Sequence, residues 1–405
     1  VDRTSIISGY SLCLPFADNS AQLIANLKSG ERVPVSPWFA SEDEAVKCGF
    51  TGNKRIAKLE KTDDSAVDLL SRLIEHALLQ AMLDAHCLTG ENVRVYLTGI
   101  GPRVDVKDYK GLYDHNDVED IALSSSLTHL CVANMSQDAI SLHLAQKYHL
   151  KHLPPNMNST SNSALVAVHL SAQAIEQGGI DLALIINISK IKTQDIWFLA
   201  TQSMLDTEVV QPFGVNSKGV IFAEGYSVLL LESDHHRQAR NLHGGVSLRS
   251  AYTQINASRS NDISWQSTSM LKLINKILQE TGVKKEELCA VIPHGNGSAI
   301  SDGIEANTLA MLAGDETLPV LAYKGQTGYT ATGSGLVDLV IGHHSLAYRE
   351  LIMPVGNEPI SDEMARHVLQ GKGAIKHDKK HLLKMGVGVD GSVIAMILTD
   401  TSKEQ

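Results

Sequence analysis

Ser163-Ala-Leu-Val-Ala-Val-His-Leu-Ser-Ala-Gln-Ala-Ile175, closed by Gly178-Gly179 and followed by Asp181-Leu-Ala-Leu-Ile-Ile-Asn-Ile-Ser189, carries the strongest structural signal in the chain. The first segment predicts a helix over 162–177 that is apolar on nearly all sides, and such a helix belongs inside a protein. The paired glycines are a usual C-terminal stop. The second segment is an almost unbroken apolar run, as expected of a strand covered on both faces.

Outward from this unit the chain is mixed helix and strand throughout. Towards the N-terminus, Val93–Ile100 reads as a buried strand, and 64–87 as a helix with Val67, Leu70, Ile74, Ala77 and Ala81 at three–four spacing. A further helix is expected over 136–148, and an antiparallel hairpin over 219–232. The polar stretch Ser233–Gly245 is the best candidate boundary. Beyond it the order of elements begins again. Strands are expected at 246–254, 288–293 and 318–323, helices at 266–280, 302–313 and 334–347, and a closing hairpin over Leu382–Thr399. Two halves, 1–240 and 241–405, with similar element order suggest a duplicated α/β unit.

Composition narrows the function classes. The chain has 405 residues, 43% of them apolar, enough for a large core. Acidic residues outnumber basic ones 45 to 35, a net charge of −10, which argues against nucleic acid or an anionic membrane as the main partner. No apolar run approaches the ~18–20 residues that span a bilayer. Val1-Asp2-Arg3-Thr4 is not a basic region leading into a long apolar stretch, so no signal peptide is expected. Five cysteines without a CxxC pair read as free thiols of a reducing compartment, hence a cytoplasmic protein. The pairs His235-His236 and His343-His344 lack a carboxylate or Cys at ligand spacing, so no metal is expected, and no cofactor motif is present.

Four Gly- or Ser-rich loops follow strands or precede helices. Asn158-Ser-Thr-Ser-Asn-Ser-Ala164 opens the buried helix, whose N-terminal N–H groups and dipole favour a negative charge or polarised oxygen. A nucleophile suits that spot, and Ser161, Asn162 and Ser163 suit N-caps equally. Pro293-His294-Gly-Asn-Gly-Ser298, with Asp302 and Glu305 behind it, places an imidazole at a strand end, able to donate to a carbonyl or accept a proton. Ala322-Tyr-Lys324-Gly-Gln-Thr-Gly-Tyr329-Thr330 and Met385-Gly-Val-Gly-Val-Asp-Gly391 complete the set.

In this order and spacing the loops resemble the β-ketoacyl-acyl-carrier-protein synthases of the thiolase superfamily. Ser163–Ile175 resembles the family's nucleophile helix, and Gln211-Pro-Phe213 with Ala223-Glu-Gly225 its Arg-Pro-Phe and Gly-Glu-Gly segments. His294-Gly-Asn-Gly-Ser is similar to the first-histidine loop, and Lys324 through Thr330 to the Lys-x-x-x-Gly-His-Thr segment. The resemblance implies a thiolase-like fold: two duplicated βαβαβαββ halves forming a five-layered αβαβα core. It departs at the centre. Ser161 stands where the family has its Cys, Tyr329 where it has its second His, and Gly386-Val-Gly-Val-Asp390 where it has Gly-Phe-Gly-Gly-x-Asn with its gating Phe, while His294 and Lys324 are kept.

The resemblance implies a mechanism that these departures disable. The family Cys takes an acyl chain from a carrier thioester, and two His promote malonyl decarboxylation before carbon–carbon bond formation. A helix N-terminus lowers a Cys pKa from ~8.5 towards neutrality. A Ser hydroxyl cannot be ionised that way and needs a positioned base, for which His294 is the candidate. Losing a single oxyanion donor typically costs ~3–4 kcal/mol of barrier. Tyr329 can donate one hydrogen bond but is no proton-exchanging imidazole.

The expected function is therefore a non-condensing subunit of chain-length-factor type. It would form a heterodimer with an intact synthase, joined through Asp181–Ser189, and serve an acyl carrier protein in polyketide or fatty-acid-like biosynthesis. Cys131 and Val132, about thirty residues before Ser161, would close the partner's acyl tunnel, where bulk limits chain length by overpacking; core packing is the other reading of that pair. A second reading makes Ser161 a working nucleophile and His294 its base, in an acyltransferase or thioesterase. A third is a homodimer that binds carriers without chemistry.

Overall fold

A computed structural model describes residues 3–60, 66–107, 136–255, 262–356 and 358–402. Its main sheet has nine strands: β1 (Ser5–Cys13), β2 (Val93–Ile100), β3 (Asn156–Met157), β4 (Leu182–Ser189), β5 (Gly225–Ser233), β6 (Val246–Gln254), β7 (Leu288–Ile292), β8 (His381–Val387) and β9 (Ser392–Asp400). Their spatial order is β3-β2-β4-β5-β1-β6-β9-β8-β7. In the first group the third strand pairs with the second, then come the fourth, fifth and first. The second group repeats that order once Val320, bridged in parallel to Val291 of β7, is counted as its third member. The strand directions repeat as well. β2 runs parallel to β3 and β4, and β5 antiparallel to β4 and β1. Likewise β8 runs parallel to β7, and β9 antiparallel to β8 and β6. The groups meet where Ser5–Ile7 of β1 pairs with Val246–Leu248 of β6.

Six helices cover the sheet: α1 (Ala66–Gln80), α2 (Gln137–Lys147), α3 (Ser163–Glu176), α4 (Ile263–Thr281), α5 (Ala299–Ala313) and α6 (Ser334–Ala347). α3 and α6 pack on each other and on strands of both groups, which makes them the middle layer. α1 and α2 cover the outer face of the first group, and α4, backed by α5, that of the second. The result is five layers, αβαβα. β4 shows why its sequence is apolar without alternation. Ala183 and Ile185 join the central core with Leu165 and Val340, while Leu182, Leu184, Ile186 and Ile188 join the outer core with Leu70 and Ile74. Each residue faces one layer or the other, and both are dry.

Three expectations are corrected. The 219–232 segment is not a hairpin. Only Gly225–Ser233 is a strand, held between β4 and β1, and Phe222 and Ala223 make single bridges to Tyr329 and Ala57. The 318–323 strand shrinks to the bridge at Val320. The segment Asp181–Ser189 cannot join two central sheets, because β4 already has β2 on one side and β5 on the other. Among the described residues, the edge strand of that group is β3. The histidine pairs go to local partners: His236 Nδ1 lies 2.6 Å from the buried Glu232, and His344 Nε2 lies 2.8 Å from Glu350.

Candidate active site

The elements bring Ser161, His294, Lys324 and Tyr329 together at one end of the middle layer. Ser161 precedes α3, whose cap position is Asn162. Asn162 makes no capping bond; its amide reaches across to Ser392, 3.1 Å to the carbonyl and 2.9 Å to Oγ. Ser163 Oγ accepts from the Ser159 N–H at 2.8 Å. Ser161 does neither of these things. Its Oγ donates to the carbonyl of Val387, at the end of β8, at 2.8 Å. The Tyr329 hydroxyl lies beside Ser161 and Asn296. Burial pushes the Tyr329 pKa up, so the phenol stays protonated at neutral pH. Beside it, Thr160 and Ala331 hold left-handed backbone, φ 46° and 49°, unusual for residues with a Cβ and costly for a β-branched one.

His294 meets this network edge-on. Its ring centroid lies 5.7 Å from that of Tyr329, with the planes at 89°. Its Nε2 lies 3.4 Å from the Asn296 amide and its Nδ1 3.4 Å from Lys324 Nζ. Burial, and after it the positive charges of Lys324 and Lys384, hold the imidazole pKa well below its usual value, so it is neutral. Glu305 accepts from the His294 and Gly295 N–H groups, each at 2.7 Å, and Asp302 from Phe213 at 3.0 Å. Both carboxylates thus hold the loop. Burial pushes Asp302 up to about 7.

Lys324 donates to the His294 carbonyl, lies 3.6 Å from Asp338, and sits 5.7 Å from the Tyr329 ring centroid. Burial pushes it down to about 8, against the attraction of Asp338. Lys384 of β8 shares that carboxylate at 2.6 Å and donates to Pro293 O at 3.2 Å. Asn296, Asp338, Lys384 and the Val387 carbonyl are parts of the site that the motifs did not single out. A signal for two of them exists: Leu382-Leu-Lys384-Met and Leu336-Val-Asp338-Leu-Val are apolar runs each broken by one charge, and a buried charge needs a partner. Cys131 and Val132 lie outside the described residues.

Two cavities flank the Ser161–Tyr329 contact. One, about 320 Å³, is walled by Ile100, Phe198, Leu199 and Phe222. The other, about 230 Å³, is walled by His294, Asn296, Ser298 and Gln266. Ser161, Tyr329, Gln202, Met204 and Val389 border both. A larger cavity, about 950 Å³, opens between β1 and α1 around Cys13, Arg72 and His76, and none of the four motif residues lines it. Burial pushes Cys87 up to about 11 and Cys289 up to about 12, so neither offers a thiolate near neutral pH.

A fold of two duplicated halves around a buried helix pair, with its loops converging at the start of one of them, is the frame of a thiolase-like protein. Residues 6–237 match the beta-ketoacyl synthase N-terminal domain, and residues 246–355 the C-terminal domain. The chain belongs to the β-ketoacyl synthase family. It is 25% identical over 270 residues to erythronolide synthase EryA2 of Saccharopolyspora erythraea, covering 64% of this chain and 7% of that protein. It is 25% identical over 191 residues to a putative polyketide beta-ketoacyl synthase 1 of Streptomyces cyaneus, covering 47% of this chain and 45% of that one. The chain thus spans less than half of either relative. Among solved structures, the ishigamide ketosynthase/chain length factor superposes with a TM-score of 0.79 at 17% identity, over 99% of this chain and 100% of the other. A β-ketoacyl synthase from Burkholderia phymatum superposes at 0.81 and 15% identity, over 99% and 100%. At these identities the superpositions speak for the fold. No helix among the described residues is long and apolar enough to cross a membrane.

Proposed function

We propose that this chain is the non-condensing partner, of chain-length-factor type, of an intact β-ketoacyl synthase, and that it helps shape that synthase's acyl tunnel in polyketide-like biosynthesis. One observation carries the reading. At the nucleophile position stands a hydroxyl whose proton goes to a backbone carbonyl, beside a phenol that stays protonated. Such a group is neither ionised by the helix dipole nor deprotonated by a base. The ring nitrogens of His294 face Lys324 and Asn296, not Ser161. The acyltransferase or thioesterase reading therefore has no base–nucleophile contact to rest on.

The synthase would dock by strand addition along β3, the edge strand of the first group among the described residues. An acyl carrier protein is the further partner, Cys131 and Val132 are the tunnel residues, 1–240 and 241–405 are the two halves, and the cytoplasm is the compartment. Co-expression with a synthase that keeps Cys, His and His should give a stable 1:1 complex by size-exclusion chromatography with light scattering. A soluble homodimer that elongates acyl chains without such a partner would refute the reading.

A further inference from the structure

We infer that Tyr329 is a plug, which closes this chain's own degenerate centre to acyl thioesters in addition to leaving it chemically idle. The inference deepens the non-condensing reading and rests on it. The two cavities share five bordering residues, and a residue that borders both stands between them. The Tyr329 hydroxyl lies beside both Ser161 and Asn296. Its ring is 5% exposed. His294 packs edge-on against it and Lys324 sits near its face. Its backbone is pinned as well: the Tyr329 N–H donates to Ile221 O at 2.7 Å, and its carbonyl accepts from Ala223 at 3.0 Å.

The two cavities differ in their walls. Gln266, Asn296 and Ser298 give one of them groups for a polar amide-bearing arm, while Phe198, Leu199 and Phe222 give the other a surface for an alkyl chain. A thioester with its polar arm in one and its chain in the other must pass its sulfur and carbonyl through the position held by Tyr329 and Ser161. The phenol occupies that passage.

The test is binding, read by isothermal titration calorimetry on the full chain with octanoyl-N-acetylcysteamine as probe. The unmodified protein should give no saturable heat. Tyr329→Ala should bind the probe at least tenfold more tightly, and Tyr329→His, a smaller ring, should bind measurably if the alanine variant does not fold. Tyr329→Phe removes the hydroxyl but keeps the ring, so it should stay closed; binding by this variant would assign closure to the hydroxyl and overturn the steric plug. Binding by the unmodified protein as tight as by Tyr329→Ala would also overturn it, as would absence of binding in both folded open variants. These outcomes are separate from the parent reading, because binding by the unmodified chain without elongation removes the plug alone, whereas elongation by that chain removes the non-condensing role.

Discussion

At position 161 the hydroxyl proton lies on Val387 O rather than on an imidazole, and the consequence reaches the whole chemistry of the α3 N-terminus. A helix end stabilises an anion once formed, but a hydroxyl bonded to a carbonyl does not supply one. The carboxylates behind His294 make a pH-dependent contribution instead. The buried Asp302 titrates at about 7, above the ordinary 3.8. A raised value means that its contribution to stability is full below pH ~4 and is lost as pH rises through ~7, a loss on the order of a few kcal/mol. Asp302→Asn keeps an acceptor for the Phe213 N–H and removes the titration. Its urea-unfolding free energy should therefore fall less between pH 5 and pH 8 than that of the unmodified protein; an unchanged slope would assign the titration elsewhere. Ser161, His294, Lys324 and Tyr329 were legible in the sequence, since each stands in a Gly- or Ser-rich loop between a strand and a helix. Asn296 stood in the quoted loop with no role attached. Asp338 and Lys384 come from α6 and β8, and only the fold brings them to Lys324 and the His294 loop.

At the scale of elements, the contact that fixes the site is between α3 and α6. A Cβ on Gly335 would lie 2.3 Å from Leu165 Cγ, and Leu165 is itself close behind Gly386. Gly335→Ala should cost about 1–3 kcal/mol by overpacking, seen as a lower urea midpoint at constant m-value. A variant as stable as the parent would show that Leu165 has room to move. Long periodic elements were readable: α3, α4, β4 and the β8–β9 hairpin follow the apolar pattern. β1 was not, because Ser5-Ile-Ile-Ser-Gly-Tyr-Ser-Leu-Cys13 mixes small polar residues into a strand that is paired on both sides. The helix Thr193–Thr201 was also missed, its exposed Trp197 and Phe198 obscuring any single apolar face. The 219–224 segment is apolar enough to look like a strand, yet it serves as the connector that carries Phe222 beside Tyr329.

At the scale of the molecule, duplication explains why a centre can lose its chemistry and keep its form. The repeated strand order and the shared α3–α6 layer are fixed by apolar packing that none of the four motif residues supplies. Lys324 and Lys384 remain useful without catalysis, because Asp338 pairs with both and they donate to the backbone of Pro293 and His294. The scaffold therefore tolerates Ser161 and Tyr329. Incubation of the purified chain with acyl- and malonyl-carrier thioesters, followed by mass spectrometry of the carrier, addresses this reading. Neither the native protein nor its Ser161→Cys variant should yield an elongated chain, because Tyr329 still stands where an imidazole is needed; a β-ketoacyl product from the native chain by itself would contradict it.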